Sequence, residues 1–228
     1  MRQPTLALLS LLAVTLSLVP DASATPVTVL FEGTITSITD DFGDFPGAQN
    51  GDSFSGWYRY DDASGSPSTI GGTTRTYSLD LDYELSVGTV SFAPPSALEG
   101  RIDRYDGAYT TAGGFGSAQT IDEDEYRVVV SEGGISSRTL TLSLVQAPAQ
   151  GLIQGIALTD PLPDPSLAND TNRFSFLSQS GVIGGGFIPT FGSSQFQGTV
   201  TSLTLVPEPG VAVLLACAAF ALRGTRRR

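Results

Sequence analysis

Carboxylates carry whatever reactive chemistry this chain has. Asp122-Glu123-Asp124-Glu125 is the densest acidic run, followed by Asp40, Asp41 and Asp44, by Asp61 and Asp62, and by Asp103 and Asp106. A glycosidase needs two such groups facing a groove, about 5 to 10 Å apart. Each run sits where a turn is expected, and acidic side chains are rarely buried unpaired, so solvated loop acids are the expected reading. The chain contains no histidine. That removes Ser-His-Asp and Cys-His nucleophiles, histidine-based zinc sites and the commonest general base.

Clustered aspartates also offer the oxygen ligands that calcium takes. Asp40, Asp41 and Asp44 form one candidate, and Asp122 with Asp124 the other. Neither has the spacing of an EF-hand loop or of a nonapeptide calcium repeat. The expectation is therefore no catalytic residue and no cofactor, with a structural calcium as the alternative.

Aromatic side chains offer a third chemistry, the stacking of sugar rings. Phe54, Trp57, Tyr58 and Tyr60 lie in one short stretch. If it is a strand, Phe54, Tyr58 and Tyr60 share a face and Trp57 points the other way. One set must then belong to the core. An exposed Trp57 would be a platform for a glycan, and a buried one a packing residue; aromatics dominate cores, which favours packing.

The elements that position these groups read as strands. Tyr77 to Val87 alternates strictly, with Tyr77, Leu79, Leu81, Tyr83, Leu85 and Val87 on one side and Asp80, Asp82 and Glu84 on the other. Further strands are expected at 27–39, 54–60, 87–92, 126–131, 138–145, 152–158, 173–177 and 196–205, divided by Gly-, Pro- and Asp-rich breakers. Roughly nine strands without a notable helix predict a single all-β domain, an antiparallel sandwich of jelly-roll type. Within it, Phe31-Glu-Gly-Thr-Ile-Thr-Ser-Ile-Thr39 matches Phe196-Gln-Gly-Thr-Val-Thr-Ser-Leu-Thr204 at six of nine positions. Each copy switches the parity of its apolar residues at the Thr-Ser step, as a β-bulge there requires. Chance similarity between Thr-rich strands is the alternative.

Charge and cysteine bound the function further. Of 23 acidic and 12 basic residues, two acids (Asp21, Glu208) and five arginines (Arg2, Arg223, Arg226, Arg227, Arg228) fall at the ends, leaving the span 25–206 at −14 without a lysine. Such a domain repels nucleic acid and anionic lipid. The lone Cys217 lies in the C-terminal apolar run, so no disulfide is expected in the domain.

Both ends read as address labels. Arg2, the apolar run Leu6 to Val19 and the small-residue site Ala22-Ser23-Ala24 predict a cleaved signal peptide over 1–24 and a mature start at Thr25. At the other end, Pro207-Glu208-Pro209 precedes an apolar run from Gly210 to Leu222, and Arg223, Arg226, Arg227 and Arg228 follow. Thirteen residues of helix cover about 20 Å against a hydrocarbon core of roughly 30 Å, so a weak, short transmembrane helix is expected. The arginines place the tail in the cytoplasm. The two prolines hold the motif extended, in a form a protease can accept as a strand.

This composite of 207–228 resembles the C-terminal sorting signal of the PEP-CTERM proteins, exosortase substrates of Gram-negative bacteria that make exopolysaccharide. Within 25–206, Gly51 to Asp61 and the closing strand running into Val206-Pro207 resemble the short β-rich exported domains found ahead of such tails. The resemblance implies signal peptidase and an exosortase as processing partners, a membrane-anchored intermediate, and delivery to the cell surface or extracellular matrix. It implies no defined activity. A structural or adhesive matrix protein is the leading expectation, an exopolysaccharide-binding module the second, and a carboxylate-based glycoside hydrolase a distant third.

Overall fold

The computed structural model describes residues 26–61, 66–70, 74–94, 96, 98–111, 119–133, 136–182 and 190–206. The signal peptide with Ala22 and Ala24, and the sorting tail with Pro207, Glu208, Pro209 and its arginines, lie outside them. Among the described residues, alternating apolar and polar side chains form twelve strands. These are β1 (Pro26–Asp40), β2 (Ser53–Asp61), β3 (Ser66–Ile70), β4 (Thr74–Val87), β5 (Val90–Phe92) and β6 (Leu98–Tyr105). The remainder are β7 (Ala108–Thr111), β8 (Gln119–Asp122), β9 (Asp124–Ser131), β10 (Ser136–Gln146), β11 (Thr171–Val182) and β12 (Thr190–Val206).

The architecture corrects the expected sandwich. Eight strands close an antiparallel ring in the order β1, β2, β4, β6, β9, β10, β11 and β12, with β12 bonded back to β1. Strand β3 lies outside the ring on β4, β5 adds a short rung to β4, and β7 and β8 form a separate hairpin. Each ring strand pairs with the ring strand before and after it, which is an up-and-down barrel and not the crossed connection of a jelly roll. Strand β4 shows how the ring closes. Its first half, Thr74 to Leu81, pairs with β6, while its second half, Leu81 to Val87, pairs with β2. Such a stagger is what curls a sheet onto itself. Alternation is the same in a sandwich and a barrel, because each has one apolar face per strand, so the pattern alone does not distinguish them. Among the described residues no helix is long and apolar enough to cross a membrane; the segment expected to supply one is in the undescribed tail.

The two matching segments turn out to be neighbours. They pair antiparallel about a local two-fold relation: Phe31 opposes Leu203, and Ile38 opposes Phe196. The register slips once in each copy, leaving Thr36 extra on β1 and Thr201 extra on β12. These are the bulges that the parity switch at the Thr-Ser step requires. The bulged hydroxyls make matching bonds, from Thr36 to the Gln197 carbonyl (3.3 Å) and from Thr201 to the Glu32 carbonyl (3.2 Å). Gly33 and Gly198 occupy equivalent positions beneath the ring of Phe54. A Cβ on either would approach that ring to 2.3 or 2.4 Å. The missing side chains thus make the seat for an aromatic.

The barrel interior is filled. Phe31, Phe54, Phe174 and Phe196 pack ring on ring, with centroids 4.5 Å apart for Phe54 and Phe174 and 5.2 Å for Phe31 and Phe174. An eight-stranded ring is just wide enough for its own side chains. At one end the β1–β2 connection inserts Phe45, whose ring lies 5.4 Å from those of Phe92 and Phe196. At the other, the β10–β11 connection folds back as a plug and buries Leu152, Ile153 and Leu158. Residues 152–158, expected as a strand, are this plug: their apolar residues close an end of the barrel instead of lining a sheet. Strand β6 escapes the sequence pattern because its inward positions are Leu98, Gly100, Ile102 and Arg104, too mixed to show alternation.

Arg104 secures the plug. It is 1% exposed, and its guanidinium donates to the carbonyls of Gly155 (3.0 Å), Asp160 (3.2 Å) and Pro161 (2.8 Å). The Tyr77 and Tyr60 hydroxyls donate to the carbonyls of Ile156 (3.0 Å) and Leu158 (3.4 Å). Deeper in, the Tyr58 and Tyr126 hydroxyls lie 2.5 Å apart, and burial raises the Tyr58 phenol well above its ordinary pKa, with Tyr126 and Tyr60 adding to the rise.

Candidate functional site

With the interior occupied, ligand chemistry falls to the outer wall. On β2 the inward residues are Phe54, Tyr58 and Tyr60, and Trp57 and Arg59 point outward. The core therefore takes the first set and the wall takes Trp57. Pairing registers Trp57 between Leu30 of β1 and Glu84 of β4, and Arg59 beside Asp82. The indole N–H donates to Glu84 Oε2 (3.1 Å), and Ser91 donates to Glu84 Oε1 (2.8 Å). Arg59 bonds Asp82 at 2.6 Å and lies over the indole, 5.5 Å from its centroid.

A shallow depression of about 280 Å³ adjoins this half-buried indole, between Leu30, Glu32, Ser55, Glu84 and Ser86. Leu30 is 41% exposed, which extends the apolar strip beside the ring. An aromatic edge, an exposed aliphatic and carboxylate or hydroxyl acceptors around them suit a saccharide, with its apolar C–H face and its hydroxyl rim. Trp57, for which the sequence favours core packing over glycan contact, stands half-buried on the outer side of the wall.

The acids are placed differently. Asp40 accepts from Ser194 Oγ (2.7 Å) and from the backbone N–H groups of Asp44 (2.8 Å) and Phe45 (3.0 Å). Partial burial disfavours its charge, but these bonds outweigh burial and hold its carboxyl below the ordinary value. Asp40 thus fixes the loop that carries Phe45, while Asp41 is exposed and Asp44 half-buried. Asp124, 1% exposed, accepts from the N–H groups of Gly107 (2.9 Å), Gly151 (2.9 Å) and Ile153 (3.5 Å), so it ties the plug to the barrel. Asp122 is exposed. Among the described residues no group of three or more metal-ligating side chains converges.

Other functional residues gave little sequence signal. Ser194, fully buried, bonds Asp40 and accepts from the Phe42 N–H (3.1 Å). Gln146 holds the plug from its other side, accepting from Gln150 and Leu152 N–H (3.0 Å each) and donating to the Leu167 carbonyl (2.9 Å). Glu125 is 4% exposed and paired with Arg127; burial raises its carboxyl against the lowering by that arginine. These are partnerships between residues distant in the chain, which spacing cannot show. No protein-family model matches this chain, and neither a curated protein nor a solved structure is similar to it.

Proposed function

We propose that this chain is an exported, non-enzymatic protein of the cell surface or extracellular matrix, which binds polysaccharide through its outer barrel wall at Trp57. The observation that carries the reading is an outward Trp57 on a barrel whose interior, among the described residues, is packed with aromatic side chains. Asp124, one of the best-buried acids, spends both its oxygens on the backbone N–H groups of Gly107, Gly151 and Ile153, an arrangement that serves structure better than acid/base chemistry. The resemblance of 207–228 to a PEP-CTERM signal supports delivery through signal peptidase and an exosortase, and the apolar inner, polar outer pattern of the strands suits a domain surrounded by water.

Affinity electrophoresis through gels containing neutral polysaccharide tests the binding. The protein should be retarded, and Trp57→Ala should migrate as in a blank gel while keeping the parent's far-ultraviolet circular dichroism and a cooperative unfolding transition; equal retardation of both would remove Trp57 from the account. Mass spectrometry of native protein from outside the cell tests the delivery. It should find Thr25 first and Arg223 to Arg228 absent, and an intact arginine tail would contradict exosortase processing.

A further inference from the structure

A second patch of the wall has the opposite chemistry. Among the seven arginines of 25–206, Arg101, Arg127 and Arg173 line one depression of about 330 Å³ over β6, β9, β10 and β11. The other four lie elsewhere: Arg104 in the plug, Arg59 with Asp82, Arg138 with Glu132 at 3.9 Å, and Arg75 with the Tyr77 hydroxyl at 3.4 Å. Ser143 sits between Arg127 of β9 and Arg173 of β11 on a single rung. Neighbouring strands are about 4.8 Å apart, so two guanidiniums rise on either side of one hydroxyl, within reach of a shared ligand. On the next rung Thr141 lies beside Ser175, and Arg101 stands beyond Val129.

Two buried carboxylates hold these arginines from below. Asp103 and Glu125 are 1% and 4% exposed although they belong to the outward faces of their strands. Arg101 Nε lies 2.9 Å from Asp103 Oδ2, off the line of a hydrogen bond, so both Asp103 oxygens lack a donor. Glu125 pairs with Arg127. Burying two acids is costly and is offset only in part by these pairs. The result is a pair of oriented guanidiniums beside Arg173, which is exposed and has no acidic partner among the described residues. The hydroxyls of Thr141, Ser143 and Ser175 likewise make no hydrogen bond among the described residues.

We infer that Arg101, Arg127 and Arg173, over the hydroxyl floor of Thr141, Ser143 and Ser175, form a binding site for a carboxylate or sulfate group on a sparsely charged acidic saccharide. Guanidinium forks match planar and tetrahedral oxyanions by paired charge-assisted hydrogen bonds. The surrounding domain, at −14, repels a densely charged polyanion but tolerates one anion carried on an otherwise neutral chain. The two depressions occupy different stretches of the wall, one over β1, β2 and β4 and the other over β6, β9, β10 and β11, so one chain of saccharide or two can engage both. The choice of a saccharide as carrier rests on the reading of the wall given above; the affinity for an oxyanion does not.

Isothermal titration tests the site with hyaluronan oligosaccharide, which bears one carboxylate per disaccharide, with κ-carrageenan oligosaccharide, which bears one sulfate, and with neutral dextran. At low salt one or both acidic probes should bind in a salt-sensitive manner. Arg173→Gln should weaken that binding about tenfold or more, by the loss of a charge-assisted bond, with a thermal midpoint close to the parent's because Arg173 holds no acidic partner among the described residues. Arg127→Lys keeps a charge against Glu125 while removing the fork, and should weaken binding in the same direction. Trp57→Ala should leave acidic-probe binding at this site intact. If neither acidic probe binds, or if Arg173→Gln binds as the parent does, the inference is overturned. If Trp57→Ala alone abolishes binding of every probe, the second site fails while the wall reading stands.

Discussion

Replacing Arg104 by methionine should loosen the plug before it harms the barrel, and the structure sets the size of the effect. The guanidinium makes three hydrogen bonds to plug carbonyls, at 2.8 to 3.2 Å, in a setting 1% exposed. Bonds from a charged donor contribute about 1.5–3 kcal/mol each, roughly 5–9 kcal/mol together. Burying the cation costs several kcal/mol in return, so a net loss of about 3–5 kcal/mol is expected, as for one partner removed from a buried pair. For a domain of this length the unfolding entropy is about 0.4 kcal/mol/K, which turns the loss into a midpoint lower by roughly 8–13 °C. Hydrogen exchange should locate the damage: the amides of Gly151, Leu152 and Ile153, held by Asp124 and Gln146, should exchange faster, while those of β1 and β12 keep their protection. Arg104→Lys should fall between, since one ammonium cannot span three carbonyls in the fork geometry. A midpoint within about 2 °C of the parent, with unchanged exchange across 151–153, would refute the claim that Arg104 holds the plug.

Two further perturbations probe other joints. Gly33→Ala puts a methyl 2.3 Å from both the Phe54 ring and the Thr199 carbonyl, one of them backbone that cannot swing away, so denaturant unfolding should show a loss of about 1–3 kcal/mol; a neutral result would mean that the β1–β12 seam is not fixed by its paired glycines. Because Asp40 has a folded pKa below its ordinary 3.8, its contribution is fully present above that value and lost as pH falls through the folded one. Asp40→Asn should therefore flatten the fall of the thermal midpoint as the pH drops below the ordinary carboxylate value, and an unchanged acid limb would contradict the role given to its bonds.

Much of this was legible in the chain, and the gaps have physical causes. The alternation of Tyr77 to Val87 fixes which side chains enter the core, and the paired Thr-Ser steps place both bulges. Closure was not legible, because it depends on β4 giving its two halves to different neighbours, and inward alternation looks the same in an open sheet. Residues 152–158 have a strand's composition but meet the open end of a barrel, where burial needs no ladder. For the candidate sites, the parity of Phe54, Tyr58 and Tyr60 already set Trp57 apart. The cluster of Arg101, Arg127 and Arg173 was invisible, since its members are 26 and 46 residues apart in sequence and meet only through the pairing of β6, β9, β10 and β11.

The central claim, that the wall at Trp57 binds saccharide, is open to one direct measurement, because Trp57 is the only tryptophan in the chain. Its fluorescence therefore reports the surroundings of one indole, beside the depression between Leu30 and Glu84. Titration of the purified protein with oligosaccharides released from a neutral polysaccharide should shift the emission to the blue and quench or enhance it along a saturable curve, as a sugar ring replaces water beside the indole. Glu84→Gln, which keeps a hydrogen-bond acceptor for the indole but removes the charge, should preserve the response, and Leu30→Asp should weaken it. An emission spectrum that stays fixed through saturating oligosaccharide, while binding is detected by calorimetry, would place the ligand elsewhere and contradict the account.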